Sequence, residues 1–256
     1  MLVKLGGSVI TNKAKLRTAR PAAISRLALE VAAARDQVVL VHGAGSFGHI
    51  LAKKYRLQDG YRSKSQVRGI AIVQRDVRQL NLMVLDALMA AGIHPSSLPP
   101  STVARLSGGD LINLDTAIFR DCLRMGMMPV TFGDVVPDSQ RIFGICSGDD
   151  LMIELSGGFR PTKSLFVTDV DGVFTSDPKK SRRSKLLPEV RAADLGAVDL
   201  STRTGVDVTG GIEAKLRKVF DAAGFAKETW ILNGLAPGRL KSAVLGRPFI
   251  GTRVVA

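Results

Sequence analysis

Aromatic residues are scarce: one Trp, two Tyr and ten Phe make up 5% of the 256 residues. A platform for single-stranded nucleic acid stacks successive bases on aromatic rings, so this scarcity argues against one. Cysteine is scarcer still. Cys122 and Cys146 lie far apart, which excludes a zinc-finger or CxxC spacing, and both sit among apolar residues as reduced core thiols. No apolar run reaches the roughly 18 residues of a membrane span. The opening MLVKLGGSVIT lacks a long apolar signal core and reads straight into a strand. No membrane partner is expected, and the location expected by default is cytoplasmic. GxxxxGK[ST] is absent, which removes a P-loop enzyme. Arg75-Asp76 with Asn81 mimics the RDxxxxN of protein kinases, but it falls inside a helical stretch and no DFG follows, so it is set aside as coincidence.

Acidic residues are outnumbered, 23 against 36 Lys and Arg, for a formal net charge of +13. Such a surface can bind nucleic acid or an anionic membrane, and it can equally serve anionic small substrates. The densest basic run, residues 179–185, follows Asp177-Pro178 and reads as a solvated loop.

What remains is an ordinary globular chain with 45% hydrophobic residues. Apolar β-rich runs alternate with helical periodicity, which predicts an α/β fold: a mostly parallel sheet covered by helices. Strands are expected over 1–5, 37–42, 127–132, 163–168, 228–232 and 249–255. Helices are expected over 21–35, 63–91, 114–125 and 211–224. Residues 134–146 read as a hairpin. Ser147 is a plausible N-cap for a helix opening at Gly148-Asp149-Asp150.

Two glycine turns follow strands. In VHGAGSFGH (41–49), Gly43, Gly45 and Gly48 fit GxGxxG. Glycines let the backbone turn tightly and bring its N–H groups to an anion, and the following helix adds positive potential. A dinucleotide site also needs an acidic residue about 20 positions on. The chain has the basic stretch around Arg68-Gly69-Ile70 there. The second turn is Lys4-Leu5-Gly6-Gly7-Ser8, with Lys4 expected as a mobile cation at the strand end. Two facing anion cradles suit phosphoryl transfer, which needs donor and acceptor held in line while charge is neutralised. Thr168-Asp169-Val170-Asp171-Gly172 leaves another strand end with two carboxylates that can bind a ribose or a magnesium shell, or form a plain Asx turn. Thr209-Gly210-Gly211 opens a late helix with Lys215 one turn in. His49 closes the second cradle, where it can donate a hydrogen bond to an acceptor phosphate. His42 reads as structural, and His94 as without a role.

KLGGS, VHGAGSFGH, SGDDL, TDVDGVF, DP, TGG and GIEAK occur in the order found in the amino acid kinase superfamily, and the chain resembles that superfamily along nearly its whole length. GGSVITNK, GSFGH and the terminal Gly251-Thr252 are similar to its archaeal-type isopentenyl phosphate kinase branch. The resemblance implies a three-layer α/β/α sandwich formed as one domain over 1–256, with an acceptor lobe over about 1–160 and a nucleotide lobe over about 161–256. It implies ATP and Mg²⁺ as cofactors, a homodimer, no nucleic-acid partner, and isopentenyl phosphate, or dimethylallyl phosphate, as acceptor. Lys4, Leu5, Gly6, Gly7 and Ser8 would hold ATP phosphates, Gly45 would touch both substrates, and Lys13 would meet transition-state charge. Ala44, Gly45 and His49 would hold the acceptor phosphate with Gly148 nearby. Asp169, Gly211 and Lys215 would lie on the nucleotide side. Ile70, Val73 and Ile145 are candidates for the wall around the apolar tail, with ordinary core as the competing reading. One departure stands out: Ala44 replaces the middle glycine of the family's acceptor loop, which is tolerable if its φ is negative. A fosfomycin-type kinase and, from the charge, a nucleic-acid-binding protein are the competing assignments.

Overall fold

The computed structural model describes residues 1–176, 183–192 and 211–256. Asp177-Pro178, residues 179–182 of the basic run and the Thr209-Gly210 turn lie outside the described residues.

Strand β1 (Leu2–Leu5) shows how one short apolar run organises the molecule. Successive strand side chains point to opposite faces of a sheet. Leu2 accordingly packs in one core cluster, with Val41, Leu155 and Phe166, while Val3 and Leu5 pack in another, with Leu27, Leu80 and Leu240. β2 (Val39–His42), β6 (Met128–Phe132), β9 (Lys163–Thr168) and β11 (Glu228–Asn233) are largely buried strands of the same kind. With β3 (Pro95–Ser97), β10 (Glu189–Arg191) and β12 (Gly251–Val255) they form one eight-stranded sheet in the order β10-β12-β11-β9-β1-β2-β6-β3. Every pairing is parallel except β11 with β12. The sheet runs unbroken through both lobes drawn from the sequence.

Helices cover both faces, giving the three layers. α2 (Pro21–Ala32), α4 (Ser65–Ala90) and α9 (Arg239–Val244) supply Leu27, Leu80 and Leu240 to the Val3 side. α7 (Gly148–Phe159) and α8 (Gly211–Ala223) supply Leu151, Leu155, Leu216 and Val219 to the Leu2 side. α1 (Gly7–Ile10) and α3 (Gly45–Lys54) leave β1 and β2.

The expected hairpin is present as β7 (Asp134–Asp138) and β8 (Ile142–Cys146), paired antiparallel with Asp134 opposite Cys146. It belongs to a second, four-stranded sheet, β5-β4-β7-β8. Its other half, β4 (Ala104–Ser107) and β5 (Asp110–Leu114), follows the short α5 (Pro100–Val103) and is not among the strands expected from the sequence. β5 is mostly solvent-facing and carries little apolar signal. Its turn is held by Asp138, which accepts the Gly108 and Gly109 N–H groups at 3.0 and 2.7 Å. The helix expected over 114–125 starts later, as α6 (Thr116–Arg124), because Leu114 ends β5 and Asp115 caps the helix by accepting the Ala117 N–H at 3.0 Å.

Candidate active site

β9, β1, β2 and β6 are neighbours and run parallel, so the loops leaving their carboxyl ends collect at one edge of the sheet. That edge is where open α/β sheets bind ligands. A cavity of about 500 Å³ lies there, lined by Gly6, Gly7 and Ser8 after β1, Gly43 and Ala44 after β2, Gly133 and Asp134 after β6, and Thr168 to Val170 and Gly172 after β9. Lys4, Lys13, His49, Ser147, Gly148, Asp149 and Lys215 also line it. The volume suits a small-molecule site.

The two glycine turns meet face to face. A Cβ on Gly7 would lie 2.7 Å from the Gly45 Cα and N, and one on Gly43 would lie 2.6 Å from the Gly7 N. Gly45 also has φ of +51°, a conformation that glycine holds without strain. Thr11 ties the turns together, donating to the Gly7 carbonyl at 2.6 Å and accepting the Ser46 N–H at 3.0 Å. The Gly43 N–H donates to the Leu5 carbonyl at 2.9 Å.

Two of the expected positions do not line the cavity. Leu5 is a core residue whose carbonyl is spent on Gly43, and it does not line the cavity. Gly45 does not line it either, because it is buried against Gly7 and Thr11 beneath the turn. The helix already begins at Gly45, so His49 stands one turn inside α3. Ala44 has φ of −66°, so its methyl group is unstrained.

Lys4 is not the mobile cation expected from the sequence. It points to the α7–α8 face, nearly buried, and forms an ion pair with Asp149. Burial pushes the Lys4 ammonium below its ordinary range. The charge and hydrogen bond of Asp149 oppose that shift, and the nearby Lys215 adds to it. Burial alone would raise the Asp149 carboxyl, but Lys4, Lys215 and Lys218 outweigh it and hold the group below the usual carboxylate range. Asp149 is placed by the first turn of α7, where Ser147 and Asp150 form a reciprocal capping box. Asp150 also pairs with Lys218 of α8 at 2.6 Å, which docks the helix that carries Lys215. Lys4, Lys215 and Asp149 thus form one charged group in the cavity lining.

The two carboxylates after β9 do not act together. Asp169 accepts from the Ser8 hydroxyl at 3.0 Å and lines the cavity. Asp171 is held by Arg239 and by Asn233 at 2.9 Å and does not itself line the cavity. Two separate apolar walls flank the glycine turns: Ala52, Val73, Val77, Val135 and Ile145 from α3, α4 and the hairpin, and Phe166, Val173, Leu216, Val219 and Ile231 from the β9–α8 side. Ile70 sits one turn before Val73 on α4 and packs on the first apolar cluster without lining the cavity. Gly211 begins α8 a full turn before Lys215.

His42 is structural. It is buried, stacks on Phe132 at 5.1 Å and lies 3.2 Å from the Asn81 Oδ1, and burial lowers its pKa to about 4. Asp149, Asp134, Thr11 and Val77 are site residues that the sequence reading did not single out. For Asp149 a signal existed: Lys4 interrupts a buried apolar strand, and a buried ammonium needs a carboxylate.

A profile of the amino acid kinase family matches residues 1–233. The chain belongs to the amino acid kinase family. It is 38% identical to the isopentenyl phosphate kinase of Methanothermobacter thermautotrophicus over 99% of this chain and 98% of that protein. It is 36% identical to the isopentenyl phosphate kinase of Thermoplasma acidophilum over 98% of both. An X-ray structure of an isopentenyl phosphate kinase superposes on this family member with a TM-score of 0.86 at 36% identity, covering 99% of each chain.

Proposed function

We propose that this amino acid kinase family member transfers the γ-phosphoryl group of ATP to isopentenyl phosphate, giving isopentenyl diphosphate and ADP. One observation carries the reading: a single cavity joins a double glycine cradle, three lysines and His49 to an apolar wall of Val73, Val77 and Ile145. Such a cavity suits an acceptor with an anionic head and a short apolar tail. The full-length similarity to proteins named isopentenyl phosphate kinase supports the same acceptor.

Gly6, Gly7 and Ser8 hold the donor phosphates in this reading, and Asp169 and Lys215 lie on the nucleotide side. Ala44, His49 and Gly148 hold the acceptor phosphate, with Val73 and Ile145 around its tail. The acceptor's second pKa is about 6, so its dianion is already a nucleophile at neutral pH and needs no strong base. Its oxygen attacks the γ-phosphorus in line, the bond to the bridging oxygen breaks, and ADP leaves. Lys4, Lys13 and Lys215 share the charge that spreads over the transferring group. Asp149 keeps Lys4 protonated and aimed.

Among the described residues no group of three His, Cys, Asp or Glu side chains forms a metal cage. Asp169, which lines the cavity beside Ser8, would hold a Mg²⁺ ion carried on the nucleotide's phosphates. Bound there, it would supply positive charge against the ATP oxygens. A homodimer and a cytoplasmic location go with this reading through the family resemblance; no helix among the described residues is long and apolar enough to cross a membrane.

An ADP-release assay across isopentenyl phosphate, dimethylallyl phosphate, fosfomycin, UMP and glutamate tests the proposal. Isopentenyl phosphate should give the highest kcat/KM, and a clear preference for any of the last three acceptors overturns it. His49→Ala should weaken turnover of isopentenyl phosphate by about 10²-fold or more while ATP binding persists.

A further inference from the structure

We infer that Asp76 is a positioning residue that holds Lys13 against the cavity by tethering its loop through Arg17. The inference rests on the proposed role of Lys13. Asp76 sits on α4 with its side chain fully buried, and it does not line the cavity. One of its oxygens accepts from Arg75 at 2.7 and 3.0 Å, and the other accepts the Nε–H of Arg17 at 2.7 Å.

A buried carboxylate needs a countercharge, and Arg75, its neighbour on the same helix, already supplies one. The second oxygen accepts from a loop outside α4. That loop is a closed strap. Thr11 and Ala19 form an antiparallel bridge, and the Asn12 N–H donates to the Thr18 carbonyl at 2.8 Å. Ser46 of α3 holds the same end of the strap, accepting the Arg17 N–H on its carbonyl at 3.3 Å and the Thr18 N–H on its hydroxyl at 3.1 Å. Arg17 adopts φ of +51°. A residue with a Cβ holds that conformation where its surroundings over-determine it. Lys13 lies in this strap, four residues before Arg17, and lines the cavity. The RD pair that mimics a protein-kinase motif thus has a use unrelated to that motif.

The test measures Asp76→Asn and Arg17→Ala, each alone and combined with Lys13→Ala. Arg17→Ala leaves Asp76 paired with Arg75, so a countercharge persists even if Asp76→Asn folds poorly. Misplacing a reacting group by about 1 Å can cost about 10²-fold. Each single variant should lower kcat by roughly 10- to 100-fold, with KM for ATP and isopentenyl phosphate within about twofold of the parent. Added to Lys13→Ala, either should cost less than about threefold more, because the lost interaction is the same one. Arg17→Lys should recover part of the rate. Tryptic cleavage after Lys13 and Lys15 should accelerate by roughly tenfold in Asp76→Asn, while the melting transition moves little. Unchanged cleavage in both single variants overturns the tether, as does a full repeat of the rate loss in the Lys13→Ala background. If Lys13→Ala itself leaves kcat intact while cleavage still accelerates, the tether stands and the role given to Lys13 falls.

Discussion

Replacing Asp149 by alanine removes the carboxylate that faces Lys4. The two side chains are 9% and 13% exposed, so the pair is close to fully buried. Removing one partner of a buried pair costs about 3–5 kcal/mol, because the other charge is left uncompensated. The lower end applies here, since the Lys4 ammonium is already pushed down by burial and by Lys215 and can escape by losing its proton. A loss of about 3 kcal/mol corresponds to a fall in Tm of roughly 6–12 °C for a domain of this size. A neutral Lys4 cannot share phosphoryl charge, so kcat should fall by about 10²–10³-fold. The decisive control is Lys4→Met/Asp149→Leu, which replaces both charges by apolar groups. Such replacements are often neutral or stabilising, so the double variant should melt near the parent yet stay inactive. Differential scanning calorimetry with a single-turnover assay reads both quantities. A single variant melting within about 2 °C of the parent, or a double variant as unstable as the single, would refute the view of Lys4 and Asp149 as a buried pair.

His42 should make stability depend on pH. Its folded pKa is about 4 against an ordinary 6.5, so between those values the unfolded chain binds more protons and stability falls as pH falls. The loss should approach about 3 kcal/mol at pH 4. Urea unfolding of the parent and His42→Gln across that range checks it; parallel losses in the two proteins contradict the assignment. At the acceptor turn, a Cβ on Gly48 would lie 2.5 Å from the Ala44 Cβ. Gly48→Ala should therefore cost about 1–3 kcal/mol, and Ala44→Gly should recover most of it in the double variant. If Ala44→Gly brings no recovery, the two groups do not compete for the same space.

The sequence by itself determined the alternation of buried strands with helices, the glycine turns that end β1 and β2, and the Ser147 cap of α7. Each is a local property: strand burial shows as an apolar run, a tight turn as glycine, a cap as a hydroxyl before an acidic first turn. It also placed His49 and Lys215 near anion-binding turns, while Lys13 came from the family resemblance; all three line the cavity. Tertiary structure decided the rest, because the deciding contacts join residues far apart in the chain. Lys4 reads as a free cation until α7 brings Asp149 to it, and the close approach of Gly7 to Gly45 exists only in the fold. Asp76 reads as part of a chance motif until the strap from Thr11 to Ala19 reaches it through Arg17. Periodicity can say which residues a helix or strand buries. Only the parallel sheet, which sets β1 between β2 and β9, determines what each buried charge meets.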